Sequence, residues 1–104
     1  MLKYENLKTI IEEVTGNDET YLNTEVFDIM KKIVDLPSET ITTIADLISY
    51  NPKEKFIDPM TQGKIKRLVK ETCKKLNIEL EENRDCFGGL AYYCQFKKIN
   101  KDNV

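Results

Sequence analysis

A chain of 104 residues with 40% apolar and 33% charged side chains has the length of one domain and the composition of a globular one. No apolar run approaches the roughly 18–20 residues of a membrane span, and the first five residues lack both the basic stretch and the apolar core of a secretion signal, so a cytoplasmic protein without membrane contact is expected. There is no histidine, and Cys73, Cys86 and Cys94 show no C-x-x-C spacing, so unpaired thiols and no metal or other cofactor are expected.

Net charge is −2, unevenly spread. Residues 1–52 hold four Lys against ten Asp and Glu, net −6, whereas residues 53–104 hold twelve Lys and Arg against eight Asp and Glu, net +4. A pI near 5.2 argues against indiscriminate nucleic-acid binding, yet a basic face can sit on an acidic body.

From Leu2 to Val14 the residues Tyr4, Leu7, Ile10, Ile11 and Val14 form one helical stripe, and Gly16 stands where a left-handed residue would end the helix. The stripe can cover the domain core or meet a second copy of the chain. Asn17–Thr20 offers capping oxygens, and Asn23 or Thr24 reads as the N-cap of a second helix, 24–35. Its broad apolar face of Val26, Phe27, Ile29, Met30, Ile33 and Val34 suits the centre of a small domain. Pro37 stops that helix.

Ser38–Thr43 is rich in β-branched residues, which favour extended backbone, so a short strand is expected at Thr40–Thr42. Thr43 then caps a short helix, Ile44–Tyr50; one helix over 38–50 is the competing reading. Residues 51–60, with Pro52 and Pro59, read as a loop. Thr61 is the expected N-cap of a helix Gln62–Leu76, with Ile65, Leu68, Val69, Thr72 and Leu76 on its buried face. Gly63, Arg67, Lys70, Glu71 and Lys74 project away from that face, with Lys64, Lys66 and Lys75 on the flanks. Lys74 and Lys75 suit a helix C-terminus; Lys64, Lys66 and Arg67 lie where the helix dipole does not favour them. Ile78–Glu81 and Leu90–Lys97 alternate as half-buried strands, joined through Asn83–Gly89 with its Gly88-Gly89 pair, a hairpin tip by its turn chemistry. Lys97 and Lys98 fall at the hairpin's base.

The sum is an α+β chain, mainly α with a small β-hairpin, in one domain over 1–104. It comprises an N-terminal helix (1–16), a core (24–98) and a frayed tail (99–104). Across 24–98 the order helix, strand, helix, basic helix, hairpin resembles the winged helix-turn-helix architecture. Thr42-Thr43-Ile44-Ala45-Asp46-Leu47-Ile48 is similar to the strand-to-helix entry of such domains. The chain departs from the pattern in its ten-residue loop 51–60 and in an acidic hairpin carrying Glu79, Glu81, Glu82 and Asp85.

The resemblance implies a DNA-binding protein, a transcriptional regulator by expectation, with 61–76 as recognition helix on double-stranded DNA. Lys66, Lys70 and Lys74 would contact phosphate, Lys64 would belong to the same DNA-binding surface, Arg67 would read guanine, Gln62 adenine, and Thr61 with Gly63 would admit a phosphate at the helix N-terminus. The stripe Leu7/Ile10/Ile11/Val14 would then serve a homodimer. The plainer reading of the basic face is a solvated one. A protein-interaction module on the same layout is the alternative, and it gains if Glu79, Glu81 and Glu82 surround the basic helix. No catalytic motif is present, so no enzyme is expected.

Overall fold

The structure, a computed structural model, describes residues 2–16, 20–82 and 90–101. The expected capping stretch 17–19, the hairpin tip 83–89 with Cys86, the tail 102–104 and the side chains of Tyr4 and Tyr21 lie outside the described residues.

Helix α1 (Leu2–Thr15) ends where Gly16 takes φ +86° and returns its N–H to Glu12 O at 2.9 Å. Leu7 and Ile11 are fully buried against the chain's own α2 and α4, so the stripe serves the domain core. Half-buried Ile10 and Val14 are what remains of it for a second copy.

Helix α2 (Thr20–Asp35) starts earlier than expected, and Asn23 and Thr24 are interior rather than caps. The Asn23 oxygen instead accepts the Thr15 hydroxyl across the α1–α2 junction. Val26, Ile29, Met30 and Ile33 are buried at the centre, each worth about 1.5–3 kcal/mol of burial. Phe27, expected in the core, is only half buried, with the Lys31 ammonium 4.9 Å from its ring centre.

The strand β1 (Ile41–Thr42) and the cap at Thr43, whose hydroxyl accepts from Asp46 N at 3.0 Å, match the sequence reading. Helix α3 (Ile44–Leu47) is shorter than expected. Ser49 turns left-handed at φ +52° and Tyr50 N–H bonds Ala45 O at 2.8 Å, which closes the helix.

Helix α4 (Pro59–Lys75) begins two residues before Thr61. Asp58 is the N-cap, accepting from Thr61 N at 3.1 Å and from the Thr61 hydroxyl at 2.7 Å, and Pro59 takes the first position, where a missing N–H costs nothing. Those hydrogen bonds hold the Asp58 carboxyl below the usual carboxylate range. At the far end Asn77 turns left-handed, φ +61°, and delivers the chain directly into β2 (Ile78–Glu82).

Residues 90–97 do not form the expected continuous strand. Ala91–Tyr93 is a turn of 3₁₀ helix that drives Tyr92 into the core, and β3 (Phe96–Asn100) follows. The three strands are antiparallel in the order β1-β3-β2, with Ile41 opposite Lys97 and Leu80 opposite Lys98. Lys98 is buried. Its ammonium donates to the carbonyls of Val34 (3.2 Å) and Leu36, tying the sheet to the C-terminal end of α2, where a cation is favoured.

Cys73 is a free, buried thiol, pushed up to about 12 by burial against the opposing pull of Lys98, and so inert as a nucleophile. Cys94 is disulfide-bonded. The expectation of unpaired thiols therefore fails at Cys94: an odd count leaves one thiol over without forbidding a pair. No helix among the described residues is long and apolar enough to cross a membrane.

Candidate functional site

The tight turn at Leu76-Asn77 sends β2 back alongside α4. Between the two runs a groove of about 790 Å³. Its α4 wall carries Lys66, Arg67, Lys70 and Lys74; its floor and far side carry Ile78, Leu80, Glu79 and Glu82. Lys66, Arg67, Lys70, Glu71, Lys74, Glu79, Glu82 and Lys101 all line this one depression.

The seven residues expected to meet DNA divide here. Lys66, Arg67, Lys70 and Lys74 share the groove; Thr61, Gln62 and Lys64 do not line it. Thr61 is bound to Asp58 within the cap. Lys64 is exposed, outside the groove. Gln62 is 1% exposed, and its expected role as an adenine reader is overturned. Its amide nitrogen donates to Ile57 O at 2.8 Å and its amide oxygen accepts from Tyr92 N at 3.1 Å. Both ends of the side chain are used, inside the protein. Its place one residue before the outward Gly63 could not be distinguished on a helical wheel from a flank position.

That clamp also helps to fix the long loop before α4. Ile57 is buried, its N–H is held by the Tyr50 hydroxyl at 2.9 Å, and Lys55 pairs with the buried carboxylate of Glu25 on α2. The Tyr50 ring meets Tyr92 edge-on at 5.1 Å. The loop before α4 is fastened, so the helix has a fixed pose.

Within the groove the lysines are not bare. Glu82 accepts from Lys66 and, at 2.8 Å, from Lys70. Burial raises the Glu82 carboxyl, but the hydrogen bonds and charges of the two lysines outweigh it and hold it below the usual carboxylate range. Glu79 pairs with Lys101 at 2.9 Å, closing the far end of the groove. Glu81 points to the opposite, exposed face of β2 and does not line the groove. Arg67 and Lys74 have no ion-pair partner among the described residues, and neither has Glu71, the one acid of α4.

Lys101 carried no site role in the sequence reading, and Glu79 and Glu82 entered it only as acids that could surround the basic helix, without a partner assigned to either. Their signal was the turn. Glu82 lies five residues beyond Asn77, about 16 Å at strand rise, and Lys66 lies eleven before it, about 16 Å at helical rise. A strand folding back on the helix must bring those two together.

No protein-family model, curated protein or solved structure matches this chain.

Proposed function

We propose that the chain is a protein-binding module with a winged-helix-like layout, working through the groove between α4 and β2. The element order and the strand order β1-β3-β2 support that layout. One observation carries the choice of partner class: Glu82 stands between Lys66 and Lys70 and occupies both. Two of the lysines that DNA binding would use share one carboxylate, which halves their charge without cancelling it, and Gln62, the second base reader, is turned inward. What is left is a surface of alternating sign. Such a surface selects a protein partner by charge complementarity, whereas a uniformly anionic duplex would meet the acids of the groove along with its cations.

DNA binding through α4 is the second reading, favoured by Arg67 and Lys74, which stand exposed and unengaged. Fluorescence anisotropy of labelled random duplex DNA separates the two, run at about 50 mM and then about 200 mM salt. The protein is expected to show no micromolar binding at the lower salt, and Glu82→Gln, which frees Lys66 and Lys70, to acquire weak binding that vanishes at the higher. Micromolar, steeply salt-dependent binding by the unaltered protein would overturn the protein-binding reading. Its loss in an Arg67→Ala/Lys70→Ala variant would then assign α4 as the recognition helix.

A further inference from the structure

The groove has a second property, in its backbone. β2 is at the edge of the sheet: β3 pairs with one side of it, and among the described residues no strand pairs with the other. The register says which groups face outward. Asn77 O accepts from Lys101 N at 2.9 Å, so Asn77 and Lys101 are a hydrogen-bonded pair. Antiparallel ladders alternate. Glu79 and Glu81 therefore bond β3, opposite Ile99 and Lys97, and Ile78, Leu80 and Glu82 direct their N–H and C=O groups away from it. β3 gives independent confirmation, since Lys98 N–H bonds Thr40 O (2.9 Å) and Asn100 N–H bonds the Ser38 hydroxyl (3.1 Å), both on its far side. The same three residues of β2 turn their side chains into the groove, towards α4.

An open strand edge beneath a cationic helix is a template for a fourth strand. Resting on the protein-binding reading, we infer that the groove takes an extended acidic segment of a partner protein, added antiparallel or parallel to the outer edge of β2. Its alternate acidic side chains, on the face shared with Leu80, reach Arg67 and Lys74, while Glu82 on that face is already held by Lys66 and Lys70 and so opposes them less than the ion-pair-free cations attract them. Alternate strand residues lie about 6.8 Å apart and Arg67 and Lys74 roughly 10 Å apart along the helix, a difference that the long Arg and Lys side chains span. Intervening side chains fall beside Glu79 and Glu81, so they are neutral or basic. The same acids exclude a second copy of β2, since self-pairing would set glutamate against glutamate. Charge complementarity thus names the occupant: a strand with acids at every other position.

The probe is an eight-residue peptide alternating Glu and Thr, titrated to millimolar concentration into the isotope-labelled full chain and followed by amide NMR. The expected result is shifts and slowed exchange at the amides of Ile78, Leu80 and Glu82. Binding should weaken at least tenfold in Arg67→Gln/Lys74→Gln, which removes both charges at exposed positions that make no ion pair among the described residues. It should also be lost when alternate peptide nitrogens are methylated, because strand pairing needs those N–H groups. Shifts on α4 alone, equal for the methylated peptide, would overturn strand addition and leave the protein-binding reading standing. No shift with either peptide, together with shifts on adding duplex DNA, would overturn both.

Discussion

The two faces of α4 are built from neighbouring residues and obey different rules. On the inner face Gln62, Ile65, Val69, Thr72 and Cys73 are buried, and every polar group has a fixed partner. On the outer face Gly63, Arg67, Lys70, Glu71 and Lys74 are exposed, and the ion pairs that exist are made with a strand across a groove. The inner face holds the helix at one pose; the outer face is kept largely uncommitted on that rigid support. A binding site placed on a fixed helix in this way loses little freedom when its partner arrives.

Substitutions that respect this division should show it, and the largest effect belongs to Gln62. Removing its amide leaves Ile57 O and Tyr92 N–H buried without their partner, each worth about 1–3 kcal/mol. Gln62→Ala is therefore expected to cost about 2–4 kcal/mol in a urea melt. A loss under about 1 kcal/mol would mean that water replaces the side chain there, and that the N-terminal half of α4 is not anchored from within.

How much of this contrast could be read in the sequence follows the same line. The inner stripe Ile65, Leu68, Val69, Thr72 was legible because apolar periodicity reports burial, and the outward row Gly63, Arg67, Lys70, Lys74 followed from it. Gly16 and Thr43 were legible because a positive φ and a capping hydroxyl are local requirements. Gln62 was not, since its partners, at Ile57 and Tyr92, come from a loop and a turn of no regular period. The break in the last strand was hidden for a related reason: the alternation of Tyr92, Cys94 and Phe96 is the same in a 3₁₀ turn leading to a strand as in the strand itself. Lys98 was legible only as part of the hairpin's base because only the fold brings the carbonyls of Val34 and Leu36 to it.

Gly63 tests the outer face directly, with a smaller effect of opposite sign. Glycine inside a helix costs roughly 0.5–1 kcal/mol relative to alanine, and a Cβ added here would meet nothing within 4 Å. Gly63→Ala is expected to raise stability by about that amount, read as a higher urea midpoint with an unchanged slope. Structure alone thus gives no reason for a glycine at this position. If the same variant binds an acidic strand or a duplex less tightly while being more stable, the reason is the close approach of a partner's backbone. If neither changes, Gly63 is incidental.

The smallest effect, and the one that bears most on the partner, is the acid side of the stability profile. The Glu82 carboxyl is held below its ordinary range in the folded chain. It is therefore more easily protonated when unfolded, so its contribution is complete above about pH 4.3, the unfolded value, and is lost as pH falls through the lowered folded value. Asp58 has the same sign, through its hydrogen bonds from Thr61. Half-exposed ion pairs are worth about 0–1 kcal/mol, so Glu82→Gln should barely move the melting temperature at pH 7. It should flatten the decline between about pH 5 and 3, leaving the share due to Asp58 and the other carboxylates. A variant whose acid-side slope equals that of the unaltered protein would show that Lys66 and Lys70 are not held by Glu82. The outer face of α4 would then be as cationic in the fold as it is in the sequence, and the balance between an acidic strand and a phosphate backbone would tip towards the duplex.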